Sequence, residues 1–260
     1  MPRSADARRG ADPALDARAL SDFGRRLRAW YRRSARDLPW RRTRDAYRIL
    51  VSELMLQQTQ VSRVVPKYHE FLRTFPSLGH VARATPERVM EAWSGLGYYA
   101  RARNLHKLAA HVTSDGRRPR AKLPAEPHEL RALPGIGAYT AGAVASFAYG
   151  KRAALVDTNV ARVLSRVFAP HLSPKRPRDL TVIWRIAEQG LPRTGSATWT
   201  HNQALMELGA LVCTARVARC GECPVRAVCA SAQVPKGAPG PPKCYFPFSF
   251  ELYFRSPGPM

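Results

Sequence analysis

Leu133-Pro134-Gly135-Ile136-Gly137 is the stretch on which the reading of the fold turns. It separates two segments of helical pattern, 127–133 and 139–149. Two glycines one residue apart permit a tight turn through positive φ. They also leave backbone N–H groups uncovered at the start of the next helix, where such groups can hold a phosphate. A bare Gly-x-Gly is more often an ordinary turn between helices. Here Thr140-Ala141 follows, and the chain is basic and helical on both sides, so residues 133–137 read as the hairpin of a helix-hairpin-helix.

Outward from the hairpin, apolar residues recur three and four apart, with glycine or proline between segments. The spacing predicts further helices over 20–31, 46–56, 61–72, 100–112, 159–168, 180–189 and 198–212, the third of them kinked at Pro66. Thr85-Pro86 reads as an N-cap and first-turn proline that open another helix to Trp93. No segment before residue 244 alternates as a strand would, so the predicted fold class is all-α. Beyond it, Phe246, Phe248, Phe250, Leu252 and Phe254 alternate within a proline- and glycine-rich tail, 231–260, whose composition is otherwise that of a linker. Residues 1–14 read as a flexible basic tail.

With 260 residues, 45% of them apolar, the chain has core material for one large domain or two small ones. Its 42 lysines and arginines against 19 acids leave a formal charge of +23 and a pI near 10.9. That excess points to a polyanionic partner, nucleic acid first, although a solvated basic surface has the same composition. The longest uncharged stretch, 132–150, is broken by Pro134 and four glycines and does not read as a membrane span. The first residues hold no apolar run suited to a signal peptide, so a reducing cytoplasm is expected. In such a compartment four cysteines between 213 and 229 suggest a metal site rather than disulfides.

Three groups of residues carry chemistry. Asp157, in Leu155-Val156-Asp157-Thr158-Asn159-Val160, follows an apolar run and stands at the mouth of a helix. It can be a plain N-cap, yet a carboxylate held by helix N–H groups also stays ionised and can face a developing cation. Glu53 is the single acid in Ile49-Leu50-Val51-Ser52-Glu53-Leu54-Met55-Leu56; burial would raise its pKa and let it keep a proton near neutrality. One neutral and one ionised carboxyl suit acid-assisted cleavage through an oxocarbenium-like state. Cys213, Cys220, Cys223 and Cys229, spaced C-x6-C-x2-C-x5-C, can close around structural zinc or a [4Fe–4S] cluster. Arg216 and Arg219 lie in the first loop of that set, where they would project toward a phosphate backbone. Cys244 falls outside it.

With these residues in view, 20–229 resembles the helix-hairpin-helix DNA glycosylases, and within them the adenine DNA glycosylases of the MutY type. The resemblance is carried by Leu38-Pro39-Trp40-Arg41, by Ser52-Glu53-Leu54-Met55-Leu56-Gln57-Gln58-Thr59-Gln60-Val61, by Gly95-Leu96-Gly97-Tyr98-Tyr99-Ala100-Arg101, by the hairpin with Gly135 and Gly137, by the Asp157 segment and by the four cysteines. It implies a two-lobed fold: a helical module over 46–155, and an iron–sulfur lobe made of 15–45 with 156–230. It further implies a monomer that acts on double-stranded DNA in the nucleoid and removes adenine mispaired with 8-oxoguanine or guanine. Glu53 would be the general acid and Asp157 the stabiliser of the sugar cation, with Asn159 and Tyr139 orienting them. Trp40, Arg41, Leu56 and Gln203 would line the base pocket. Gln58 and Tyr98 would probe the mispair, Gln57 and Thr59 would add base-pocket or DNA contacts, and the cysteines would hold a [4Fe–4S] cluster.

Relatives resembling endonuclease III place a Schiff-base lysine where this chain has Tyr139, so the resemblance implies a monofunctional enzyme. Thr158 and Ala161 depart from the family's pattern. The thirty-one residues after Cys229 are too few for a further 8-oxoguanine-recognition domain, which leaves discrimination of the opposite base open. Three other readings stand beside this one: a thymine glycosylase for T:G mispairs, a non-enzymatic DNA-binding module, and a zinc-stabilised structural or RNA-binding protein.

Overall fold

The computed structural model describes residues 16–114 and 122–233. The two tails, with Cys244 and the alternating phenylalanines, lie outside the described residues. Eleven α-helices are present among those described: α1 (Ala17–Ser34), α2 (Ala46–Leu56), α3 (Val61–Thr74), α4 (Leu78–Arg83), α5 (Pro86–Ala92), α6 (Ala100–Ser114), α7 (Pro127–Arg131), α8 (Ala138–Tyr149), α9 (Thr158–Phe168), α10 (Pro177–Gln189) and α11 (Gly195–Leu211). A 3₁₀ turn at Pro39–Arg41 and three more from Cys220 onward complete the set. No strand occurs among the described residues, and the fold there is all-α. None of their helices is long and apolar enough to cross a membrane.

Local chemistry sets the helix starts. Asp16, Asp45, Thr85, Asp157 and Thr194 each accept a hydrogen bond from a first-turn backbone N–H, satisfying a donor the helix cannot. Gly150 ends α8 in the left-handed region at φ 64°, which a side chain would resist. α3 runs continuously through Pro66, where the spacing predicted a kink. Pro66 is exposed, so the carbonyl deprived of its partner can turn to water. The six-residue α4 escaped the periodicity; it has only Leu78 and Val81 to bury, and it packs on α6.

α2 and α8 are buried over most of their length and pack against each other. Around them α3 touches α2 and α5, α7 touches α8, and α6 touches α4 and α5. A second set is built where α9 contacts α10 and α11 and α11 contacts α1, and the α8–α11 contact joins the two.

The irregular run from Lys151 to Asp157 crosses between these sets, and its position is set by a close approach: a Cβ on Gly142 would lie 2.0 Å from the Ala154 carbonyl oxygen. Asn202, buried in α11, donates to the Ala153 carbonyl at 2.9 Å and to Ser146 Oγ at 3.0 Å, pinning the same run to α8. Gly142→Ala is therefore expected to lower unfolding stability by about 3 kcal/mol, because backbone rather than a pliant side chain must move. Gly137→Ala, where nothing lies within 4 Å and φ is −87°, should change it by less than about 1 kcal/mol. Urea denaturation followed by circular dichroism checks both.

Candidate active site

Glu53 sits in the last two turns of α2 among neighbours that are themselves buried, and only 3% of it is exposed. The Tyr139 hydroxyl, from the first turn of α8, donates to Glu53 Oε2 at 2.7 Å and lies 3.7 Å from Met206 Sδ on α11. Burial pushes the Glu53 pKa up to about 7; the Tyr139 bond holds it down in part, and the nearby Asp157 charge raises it again. The same burial, with two carboxyls close by, holds the Tyr139 phenol well above its ordinary value, so it remains a donor.

Asp157 serves two carboxylate oxygens differently. Oδ1 accepts from the Val160 N–H at 2.7 Å, capping α9, and Oδ2 accepts from Asn159 Nδ2 at 3.2 Å. Burial raises its pKa, while the Val160 N–H, the Asn159 amide and the Arg162 charge draw it back toward the ionised form. Asn159 is oriented in turn by Arg162, whose guanidinium donates to Asn159 Oδ1 at 2.8 Å, to the Gly209 carbonyl at 2.8 Å and to the Cys213 carbonyl at 2.9 Å. Gly209 matters to this fit, since a Cβ there would come within 2.8 Å of the Asn159 Cβ.

The facing wall comes from Pro39–Arg41 and α11. Arg41 is locked rather than free: it donates to Gln203 Oε1 at 2.9 Å, to Glu207 Oε2 at 2.8 Å and to the Arg36 carbonyl at 2.9 Å. Glu207 is fully buried; burial alone would raise its pKa, but the hydrogen bonds from Arg36 and Arg41 prevail and bring it to about 2. With Oε1 of Gln203 committed to Arg41, its amide nitrogen is the group left to meet a ligand. Trp40 is buried edge-to-face on Tyr68, and Leu56 is partly buried against the core.

Two turns flank this site. Gln58 at φ 56° and Tyr98 at φ 47° are the non-glycine residues with positive φ among those described. Tyr98 is 59% exposed, which removes a core role for it. In the hairpin, Gly135 has φ 74° and packs on Asn104, whose Cβ would lie 2.6 Å from a Cβ at Gly135. Gly137 departs from the expected pattern: its φ is −87° and it precedes the first turn of α8 as the N-cap. Its missing side chain leaves open space over the N–H groups of α8.

Cys213, Cys220, Cys223 and Cys229 are free thiols close enough to affect one another electrostatically, and Cys213, Cys223 and Cys229 pack against the core. Arg166 donates to Cys213 Sγ at 3.4 Å. Among the described residues no three or more potential ligands converge on the position of a single metal ion. Arg216 is exposed at the loop tip, and Arg219, about half exposed, donates to the Leu211 carbonyl and pairs with Glu222 where that loop folds back on the end of α11.

Residues 51–185, which hold Glu53, the hairpin and the Asp157 cap, match the HhH-GPD superfamily of base excision DNA repair proteins. The chain belongs to this superfamily.

An adenine DNA glycosylase of Homo sapiens is 41% identical over 228 residues, 84% of this HhH-GPD chain and 41% of its own length. One from Mycolicibacterium smegmatis is 46% identical over 201 residues, 76% of this chain and 66% of its own. The chain thus spans less than two thirds of these curated relatives. Among solved structures, a thermostable thymine-DNA glycosylase superposes with a TM-score of 0.74 at 28% identity, covering 84% of this chain and 99% of that one. An endonuclease III trapped covalently on DNA superposes at 0.70 with 21% identity, over 84% and 97%, a likeness of fold.

The sequence did not reveal the positioning parts played by Glu207, Arg162, Arg101, Asn202 and Gly209. Glu207 offers the one usable signal, an acid within an otherwise apolar helix face, the same cue that singled out Glu53.

The high pKa of Glu53 makes a stability test. Between the unfolded value of 4.5 and the folded value of about 7 the native chain holds a proton that the unfolded chain has released, so this group's contribution falls as pH rises through that window. Glu53→Gln should therefore match the parent in stability at pH 4–5 and exceed it at pH 8, as thermal unfolding across the range would reveal.

Proposed function

We propose that the chain is a monofunctional DNA glycosylase of base excision repair that removes adenine mispaired with 8-oxoguanine or guanine from duplex DNA. The observation that carries this reading is the Glu53 carboxyl, titrating near neutrality, held by Tyr139 and close to the capped carboxylate of Asp157. The naming of the relatives above as adenine DNA glycosylases supports the choice of base.

An adenine inside a duplex must leave the stack before its glycosidic bond is accessible. In this reading Gln58 and Tyr98 support the gap, Gln57 and Thr59 hold the turn beside it, and the open N–H groups beyond Gly137 take a backbone phosphate. Glu53 gives its proton to a ring nitrogen of the extruded adenine, between Trp40, Leu56, Arg41 and Gln203. The electrons of the C–N bond then leave with the base, the sugar becomes an oxocarbenium ion, and the Asp157 carboxylate stabilises it until water adds and releases a proton. Tyr139 supplies a phenol where an iminium-forming enzyme needs an amine, so no strand cleavage accompanies base release.

The thiols of Cys213, Cys220, Cys223 and Cys229 would hold a [4Fe–4S] cluster. Their C-x6-C-x2-C-x5-C spacing and their mutual electrostatic influence bring four potential thiolate ligands into one loop region, which is the donor set such a cluster takes. Bound there, the cluster would fix the 213–229 loop and supply no step of the reaction.

The likeness to a thymine-DNA glycosylase at 28% identity keeps T:G mispairs as the second reading. Single-turnover reactions on duplexes with A opposite 8-oxoguanine, A opposite G and T opposite G, each developed with alkali, decide between them. Release of adenine from the first two is expected, and release of thymine alone would reverse the choice of base. Glu53→Gln and Asp157→Asn should each lower adenine release by more than about a hundredfold while leaving duplex binding within a few-fold.

Protein prepared without air should be brown and carry about four iron per chain. Stoichiometric zinc without iron, in cells that assemble such clusters, would refute the cofactor.

A further inference from the structure

Gln58 and Tyr98 both adopt left-handed backbone conformations that side chains resist, at roughly 1–3 kcal/mol each. Such residues persist only where their surroundings over-determine them. Both turns meet at one guanidinium, that of Arg101 in the first turn of α6, which is only 6% exposed.

One terminal nitrogen of Arg101 donates to the carbonyls of Leu54, Met55 and Gln57 at 2.7, 2.9 and 2.6 Å. These are acceptors at the C-terminal end of α2, which the helix itself cannot satisfy and where its dipole favours a cation. The other terminal nitrogen donates to the Leu96 and Gly97 carbonyls at 3.0 and 2.9 Å and to Thr59 Oγ1 at 3.3 Å. The Arg101 Cζ lies over the rings of Trp93 and Tyr98, 5.7 and 5.5 Å from their centres. Among the described residues no carboxylate pairs with it. Its charge is met by oriented carbonyls from the two turns at once, an arrangement that needs a planar fork of donors and that the single ammonium of lysine cannot reproduce.

We propose that Arg101 is the positioning residue that locks the 57–60 and 95–99 turns into one preformed wedge at a fixed distance from Glu53. The proposal rests on the glycosylase reading for what the wedge does, because it assigns Gln58 and Tyr98 to the gap left by the extruded base. A wedge ordered during folding needs no further ordering when the duplex is opened.

Arg101→Lys keeps the charge and loses the fork. In the free protein, amide hydrogen exchange in 54–60 and 95–101 should rise together by about tenfold or more, with α8 and α9 unchanged. Single-turnover adenine release opposite 8-oxoguanine should fall roughly a hundredfold, the factor expected when two hydrogen bonds to a charged group are lost. Release of adenine opposite an abasic position, where no partner base holds it in the stack, should fall by less than about threefold, since Glu53 chemistry is untouched. Equal losses on both duplexes, parent-like exchange, or loosening of only one turn would overturn the proposal. Should Arg101→Lys fail to fold, Thr59→Val, which removes one shared acceptor, must loosen both turns in the same direction, and loosening of one alone counts against it. A parent protein that releases no adenine refutes the glycosylase reading, and the exchange experiment then still decides whether Arg101 couples the turns.

Discussion

Keeping the Glu53 carboxyl out of water is the constraint around which the rest is arranged. A carboxyl in apolar surroundings retains its proton to about pH 7 only if few donors reach it, and Tyr139 supplies the hydrogen bond it accepts. That requires α2 and α8 to be packed without water between them, which explains why both are apolar on nearly all sides. It also requires the second carboxyl to be held close yet served by other donors. The 151–157 run, seated against Gly142 and tied by Asn202, delivers Asp157 to the helix cap that provides them.

Three buried arginines do related work by different means. Arg41 is neutralised by Glu207 and holds Gln203; Arg162 is spent on carbonyls and on Asn159; Arg101 is met by carbonyls and ring faces. In each case the guanidinium converts loop or helix-end carbonyls, which would otherwise need water, into fixed geometry beside the site. A basic composition thus divides into two populations. The exposed arginines, Arg216 among them, give the surface its charge, while the buried ones position side chains and contribute little to an external field.

Much of this was legible along the chain. Helical periodicity, Thr85-Pro86, Glu53 isolated among apolar residues and Asp157 ahead of a helix are local patterns that stand in the fold as the spacing implies, and of the 133–137 hairpin glycines Gly135 takes the positive φ while Gly137 caps α8. Less was legible where a short element buries too little to show a period, as in α4.

The sequence by itself determined most of the helices, the Thr85 and Asp157 caps, the hairpin's place and the identity of the two carboxyls, because these follow from interactions between residues a few positions apart. Only the tertiary structure decided that Tyr139 faces Glu53, that Glu207 neutralises Arg41, and that Arg101 joins turns some forty residues distant from each other in the chain. Those outcomes depend on which helix faces bury each other and on where a missing Cβ, at Gly142 or Gly209, allows backbones to approach. The close fit at a glycine and the count of carbonyls around a guanidinium are properties of three-dimensional proximity, and no periodicity encodes them.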